Sequence, residues 1–533
     1  MTRSIDLSVR EQETVRKLLA RFLPNTETWV YGSRVRWTSR PESDLDMVVF
    51  TTPEQASAVS NLREAFDESD LTFRVDLFVW DNVPPEFRHE IEREHLVLVE
   101  SAVCSRGWKQ RQLLGDCILM NEDTYSPKEK WPFVNYLETG NISENRIEKI
   151  LHIIPEREKL PSRARRKARS GEIVYSTVRP NQRHFGILRE VPENFLASTG
   201  FAIFRGKEAI ADTGFIYRFL IQDHVVEQLH TIAEHSTSAY PSIRPADIER
   251  LEISLPPIAE QRTIANILGK LDDKIELNRL MNETLEAMAR AIFKDWFIDF
   301  GPTRAKAEGR APYIATEFWD LFPDALDAKG KPVGWTTRPV RDLFDFNPKE
   351  SVKKGTKTPY LGMAALPTAG SVSHAPTKLE YKSGSKFRDG DTLFARITPC
   401  LENGKTAYVF DLGNEVIGAG STEFIVIRSR SALPQSASYL LARDMGFRTH
   451  AERGMTGTSG RQRVNAEILG QYEITAPKND CLWKALAKLV DPIMDSVIAN
   501  ALESRTLGQT RDLLLPGLVS GELCVPEKEK FDG

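Results

Sequence analysis

The sequence predicts an α+β multidomain protein. A small α/β domain stands at the front, and behind it a mixed module occurs twice, each copy ending in a long helix. Three observations predict this. At 533 residues the chain exceeds what one hydrophobic core can organise. A set of short matches recurs, in the same order, about 218 to 227 residues apart. Two segments near the ends of the repeats show helical spacing of apolar residues, the first within a stretch of roughly 40 positions without proline.

The front domain is assigned to residues 1–105. Thr28-Trp29-Val30-Tyr31 reads as a buried strand that runs into Gly32-Ser33. Asp44-Leu45-Asp46 leads the apolar run Met47-Val48-Val49-Phe50, and Asp76 sits inside a second apolar run, Arg74 to Val79. In a strand, residues i and i+2 share a face, so Asp44 and Asp46 present two carboxylates together and Asp76 can supply a third from a neighbour. Three such carboxylates suit Mg²⁺-assisted in-line phosphoryl transfer. Gly32-Ser33 allows close backbone approach and offers N–H donors to a triphosphate. The candidate catalytic and metal-binding residues are therefore Asp44, Asp46 and Asp76, with Gly32 and Ser33 for the nucleotide. The reading that competes with this one keeps the carboxylates as fold remnants.

The repeat organises the rest. Gly107-Trp108 matches Gly334-Trp335, and Tyr136-Leu137 matches Tyr360-Leu361. Gly171-Glu172-Ile173 matches Gly390-Asp391-Thr392, each followed by an apolar-aromatic step and an arginine, Arg179 and Arg396. Residues 245–248 match 465–468, and 251–256 match 472–477. Ile173–Val178 and Glu423–Ile427 read as strands. The divisions expected are a first module at 106–256, a helix at 257–300, a linker at 301–330, a second module at 331–477, a second helix at 478–524 and a tail at 525–533.

The first helix has no proline between Glu260 and Phe300, with Pro256-Pro257 before it and Gly301-Pro302 after it. Ile264, Leu268, Leu271, Ile275, Asn278, Asn282, Leu285, Ala289 and Ile292 alternate by fours and threes, the seam of a coiled coil. Leu482, Leu486, Leu489, Ile493 and Val497 form the second seam. Each helix is the natural partner of the other, although two unrelated amphipathic helices, each packed on its own module, would show the same spacing. Two asparagines on the first seam lower stability and fix register.

Candidate nucleic-acid contacts are Arg163, Arg165, Arg166 and Lys167 in a basic run, Arg179 and Arg396 after the repeated strands, Ser238 in one polar loop, and Thr458, Ser459, Arg461 and Arg463 in another. Arginine can pair bidentately with guanine, whereas hydroxyls and backbone N–H groups hold phosphate. Each is equally readable as a solvated surface group. Residues 1–105 hold 12 basic and 19 acidic side chains, against 59 and 56 in the remainder, so an acidic front precedes a mildly basic body. The five cysteines form no CxxC pair, which implies neither a zinc site nor a disulfide framework. No stretch is apolar enough for a membrane span or a signal peptide, and a cytoplasmic location is expected. A glycine-rich cofactor loop, an Asn-Pro-Pro-Tyr methyltransferase motif and a phosphate-binding-loop lysine motif are all lacking.

Leu255-Pro256-Pro257-Ile258-Ala259-Glu260-Gln261-Arg262, Leu271 to Asn278, Met281 to Glu286 and Trp296 to Phe300 together resemble the central conserved region of type I restriction–modification specificity subunits. Leu513-Leu514-Leu515-Pro516-Gly517-Leu518-Val519-Ser520-Gly521 resembles their C-terminal conserved region. The resemblance covers about residues 106–524. It implies two target-recognition domains separated by long antiparallel coiled-coil helices, each domain reading one half of a gapped site in double-stranded DNA. It also implies partners: two methyltransferase subunits that bind S-adenosylmethionine, which this chain does not, and a motor-nuclease subunit. A helix of about 40 residues is about 60 Å long, more than one DNA turn, which agrees with a gap.

Residues 1–105 lie outside that layout. Gly32-Ser33-Arg34, Arg36, Ser43-Asp44-Leu45-Asp46 and Asp76, with the ending Pro85 to Glu94, resemble minimal nucleotidyltransferases of the DNA polymerase β superfamily. Trp37 departs from the small residue usual there. This resemblance implies a nucleotidyltransferase-like α/β domain using Mg²⁺ and a nucleoside triphosphate. Two alternatives to a plain DNA reader stay open: a nucleotidyltransferase that the body targets to DNA, and a toxin–antitoxin-like assembly in which residues 1–105 bind a partner.

Overall fold

The computed structural model describes residues 5–24, 26–40, 42–51, 55–99, 108, 112–236, 240–431, 433–458, 460–523 and 525. They form two compact units, residues 1–270 with 510–533, and residues 271–509.

The front domain, in the first unit, is a four-stranded sheet in the order Val75–Val79, Leu45–Val49, Thr28–Tyr31, His95–Val99. The first two strands are parallel, and the helix Ala56–Asp67 makes the crossover such a pair requires. The helix Val9–Phe22 begins with a capping box between Ser8 and Glu11. Val15, Leu19, Val30, Leu45, Met47, Val49, Leu62 and Leu77 close one core between helices and sheet. In the strand Leu45–Val49, Leu45, Met47 and Val49 alternate into this core, while Asp46 is half-exposed on the other face and Val48 packs there in a second cluster with Val83 and Ile91.

Each repeat folds into two four-stranded sheets. In the first module one sheet runs Leu151–Ile153, Val134–Leu137, Phe195–Ser198, Ala164–Lys167, and the other Phe185–Ile187, Ile173–Ser176, Phe201–Gly206, Ile118–Met120. In the second module the matching orders are Thr377–Glu380, Lys357–Leu361, Gly418–Gly420, Ser385–Phe387, and Thr406–Tyr408, Thr392–Ala395, Phe424–Ser429, Phe344–Phe346. Both modules contain one parallel pairing, at the same place. Asn121 and Asn347 occupy equivalent left-handed positions, and each accepts a backbone N–H through its side chain, from Ile203 at 3.1 Å and Val426 at 3.0 Å. Asparagine suits this conformation because its short amide bonds locally.

Residue pairing corrects one detail of the repeat. Thr177 N–H bonds Gly200 O at 2.8 Å and Arg396 N–H bonds Glu423 O at 3.0 Å, on equivalent strands. Arg396 is therefore the counterpart of Thr177, and Arg179 that of Thr398. Matching arginine to arginine slipped the alignment by two residues, a slip a strand conceals because i and i+2 share a face.

The long helices are Ile258–Phe297 and Cys481–Ser520. Within the second unit they run antiparallel. Phe297 stacks on Trp483 with ring centroids 4.2 Å apart, and Asn282 donates to Val497 O at 3.1 Å while accepting from Asn500 Nδ2 at 2.9 Å. Asn278 donates to Glu503 at 2.7 Å. The seam departs from the expected one in its second half: Glu286 and Phe293 are buried where Leu285 and Ile292 were expected, and Val490 and Met494 where Leu489 and Ile493 were. A straight helix drifts relative to a strict 3.5-residue repeat, which moves the buried line by one position.

The stretch expected to be a linker, 301–330, is ordered. It contains the helix Gly301–Ala307 and a short helical turn, Thr316–Trp319, and packs Phe318 and Phe322 against Trp296. In the first unit, Gly521 has φ +82°, and a Cβ there would lie 2.8 Å from the Trp108 ring, so this glycine admits the tryptophan that opens the first module. No helix among the described residues is long and apolar enough to cross a membrane.

Candidate functional site

In the front domain the sheet register assembles the predicted carboxylates. Asp46 lies directly beside Asp76 on the parallel strand, and Tyr31 faces Asp46 from the other side. Paired residues in register point to one face, so two carboxylates and a phenol share it. Asp44 is exposed, one residue ahead of the strand. Burial, then Asp76, then Asp44 push the Asp46 carboxyl above its ordinary range. Burial, Asp46 and Asp76 push Tyr31 up to about 12. Arg74 approaches Asp76 at 3.3 Å.

Gly32 has φ +80°, and a Cβ on it would lie 2.3 Å from Asp46 Oδ2. Glycine is required there because any side chain displaces the carboxylate. Arg34, 5% exposed, stacks over Phe73 at 3.9 Å and donates to Ser43 O at 2.7 and 3.1 Å and to Asp6 O at 2.9 Å. It thereby ties Gly32-Ser33 to the segment that carries Asp44. Arg36 pairs with Glu94 at 2.9 Å, joining the motif to the end of the domain. Trp37 adopts φ 57° and is 60% exposed beside this site.

Among the described residues no three or more His, Cys, Asp or Glu side chains converge closely enough to hold an ion alone. The donor set still fits Mg²⁺, which keeps several waters and is typically held by one or two carboxylates together with substrate phosphates. Like charges at Asp46 and Asp76 repel unless a cation or proton intervenes.

The candidate DNA contacts divide. Arg165 and Lys167 lie on the strand Ala164–Lys167. Lys167 pairs with Glu129 at 2.7 Å and lies 5.5 Å from the Trp131 centroid, and Arg165 donates to Ser162 O at 3.3 Å. Arg166 is half-buried, its Nε has no partner among the described residues, and burial lowers its pKa. Arg163 lies just before the strand, its carbonyl accepting from Thr199 N–H. The basic run is thus part of a sheet, with Lys167 in an ion pair and Arg165 on a backbone carbonyl. Arg179 has φ 48° and lies 5.6 Å from the Tyr240 ring. In the second module Arg463 makes a bidentate pair with Glu423, Arg461 N–H bonds Thr458 O at 3.0 Å, and Arg396 stands beside them. Ser238 and Ser459 lie outside the described residues.

Sequence reasoning missed two arrangements. Glu286 is buried, and its carboxylate accepts from Ser371 N–H at 2.9 Å, Ser371 Oγ at 2.8 Å and the Tyr439 hydroxyl. The only signal was a glutamate at the edge of an apolar seam. The other is an arginine between two carboxylates, present in both modules: Arg205 with Glu122 and Glu172, and Arg428 with Glu350 and Asp391. The matched Glu172 and Asp391 were visible in the repeat, but their partners were not.

Duplicated two-sheet modules, antiparallel helices and a Gly-Ser/Asp-x-Asp front domain define a duplicated recognition protein joined to a nucleotidyltransferase fold. Residues 120–287 match the type I restriction modification DNA specificity domain, and residues 13–102 match the polymerase β nucleotidyltransferases. The chain is 26% identical over 476 residues to the type I restriction enzyme HindI specificity subunit of Haemophilus influenzae, covering 78% of this chain and 99% of that protein. It is 24% identical over 325 residues to the MjaIX specificity subunit of Methanocaldococcus jannaschii, covering 59% of this chain and 69% of that protein. Its front is 35% identical over 97 residues to the probable protein adenylyltransferase MntA of Haemophilus influenzae, covering 18% of this chain and 85% of that protein. The chain belongs to the type I restriction–modification specificity subunits and carries a polymerase β-type nucleotidyltransferase domain at its front.

Proposed function

We propose that the chain selects the DNA sequence modified by a type I restriction–modification complex, with residues 106–256 and 331–477 each reading one half of a gapped site. One observation carries this reading: the same pair of sheets, in the same strand order, is built twice. Two copies of one reader in one chain suit two separated half-sites. The long helices would set the gap and dock two methyltransferase subunits, which supply S-adenosylmethionine. Support for docking comes from the first helix, where Leu277, Met281 and Met288 are 50%, 42% and 50% exposed. Their spacing puts them on one face, an apolar strip of the kind that marks protein contacts. A motor-nuclease subunit would complete the restriction complex.

The front domain is read as a Mg²⁺-dependent nucleotidyltransferase. Asp46, Asp76 and Asp44 together with the substrate phosphates would hold the ion, which when bound stabilises charge at the phosphorus of the transferring nucleotidyl group. Gly32-Ser33 would meet the triphosphate through backbone N–H groups.

Exchanging residues 106–256 for the same region of another specificity subunit tests the central reading. Methylome sequencing should show one half of the site changed and the other retained. A swap that alters both halves together overturns it.

A further inference from the structure

The two modules carry different chemistry at one equivalent place. Val178 bridges Ser242 and Ile397 bridges Arg463. Ile243 N–H bonds Thr177 O at 2.8 Å and Val464 N–H bonds Arg396 O at 3.0 Å. With the strand pairing described above, Thr177, Gly200 and Ser242 of the first module correspond to Arg396, Glu423 and Arg463 of the second. In the first module the position is closed: the Thr177 hydroxyl donates to Gly200 O at 2.9 Å. In the second, Arg463 occupies both carboxylate oxygens of Glu423 at 2.8 to 3.1 Å.

Arg396 is left without an acceptor. Its Nε is buried, and among the described residues nothing accepts a hydrogen bond from its guanidinium. Buried donors in native proteins are nearly always satisfied, and here a half-buried arginine has a buried Nε without a partner and no acceptor among the described residues, which points to an acceptor from outside the chain. Glu423 stands beside it, already paired, and holds the local charge without consuming the donors. Thr458 and Arg461, on the neighbouring loop, are exposed. Exposed side chains suit phosphates, while a planar guanidinium on backbone bonded at both sides, as Arg396 is to Glu423 O and Val464 N–H, suits a base edge.

We propose that Arg396 is a specificity-determining residue, donating bidentately to the O6 and N7 of a guanine in the half-site read by the second module. The inference rests on the proposed reading of that module as a DNA reader. It also separates the two half-sites. The first module carries Thr-x-Arg, at Thr177 and Arg179, where the second carries Arg-x-Thr, at Arg396 and Thr398. Its arginine thus lies two residues further along the chain, beyond the end of the strand Ile173–Ser176.

The test is methylome sequencing of the full complex carrying wild type, Arg396→Gln or Arg396→Lys. The expected result is that one guanine position of the second half-site loses about 10- to 100-fold of its discrimination while the first half-site is unchanged. The lysine variant keeps the charge but not the fork, and decides by the same criterion if the glutamine variant methylates nothing. Three results overturn the proposal: a wild-type second half-site lacking guanine on either strand, an unchanged motif methylated uniformly less, which marks a phosphate contact, and an unchanged motif at unchanged level. Exchange of residues 331–477 is run in parallel. If the second half-site does not follow that exchange, the reading of the module fails, not the assignment of Arg396.

Discussion

Glu286 offers a direct test of what holds the second module to its helix. The residue lies on the first long helix, yet its carboxylate satisfies two donors of Ser371 and the Tyr439 hydroxyl. Tyr439 is itself fully buried, and burial, opposed by Arg443 and reinforced by Glu286, raises its pKa. Arg443 extends the network, donating to Thr368 O and Gly404 O at 3.0 and 2.8 Å. Glu286→Ala strands three donors in the interior. Each hydrogen bond to a charged group contributes about 1.5–3 kcal/mol, and removing one member of a buried polar network costs about 3–5 kcal/mol in all. Tyr439→Phe removes one donor and should cost about 1–2 kcal/mol. Unfolding of a two-unit chain is not a single two-state transition, so the assay is local: hydrogen exchange at the Ser371 amide in the full-length protein. A loss of 3–5 kcal/mol accelerates exchange there by roughly two to three and a half orders of magnitude, since each 1.4 kcal/mol is tenfold. Exchange in residues 112–236 should be unchanged. In the assembled complex the methylated motif should keep both halves but tolerate more than one gap length, because the module is no longer pinned to the helix. Exchange at Ser371 within threefold of wild type would refute the reasoning.

Asp46→Asn should stabilise the metal-free front domain near neutral pH. The folded carboxyl is raised by burial, Asp76 and Asp44, so its ionised form costs stability above the folded pKa; that cost fades as pH falls through that value and is gone below the unfolded pKa. Thermal unfolding across pH should show the two proteins converging in acid, with Mg²⁺ and nucleotide stabilising the wild type but not the variant; nucleotidyl transfer, followed with labelled ATP, GTP, CTP and UTP, should be lost in both Asp44→Asn and Asp46→Asn. Asn282→Leu should cost about 1–3 kcal/mol by stranding Asn500, and Asn282→Leu with Asn500→Leu should recover most of it, as hydrogen exchange of the paired helix segments in the full-length protein would show. Deleting residues 1–105 should leave the methylated motif of the assembled complex unchanged, because both modules lie after this segment; methylome comparison with the full chain checks it.

The sequence by itself determined the architecture. An ordered repeat cannot arise without duplicated structure, and the period of the apolar positions distinguishes strand from helix. Gly32-Ser33 and Asp44-Leu45-Asp46 were legible because a glycine in contact with a carboxylate and alternating acids on a strand are local requirements. The Trp108 and Trp335 openings and the Leu513–Gly521 motif were legible for the same reason, although what Gly521 accommodates was not.

Tertiary structure decided what depends on pairing between distant segments. Strand register put Asp76 beside Asp46, and it set Arg396 opposite Glu423 and in the place of Thr177, where matching by residue type had aligned it with Arg179. A shift of two leaves the face pattern of a strand intact, so hydrophobic periodicity cannot detect it. Likewise the seam of the first helix passes to Glu286 because Ser371 and Tyr439, 85 and 153 residues away, supply the donors that make a buried carboxylate tolerable. A side chain's burial is read from its own pattern, but its partners are fixed only when the chain has folded back on itself.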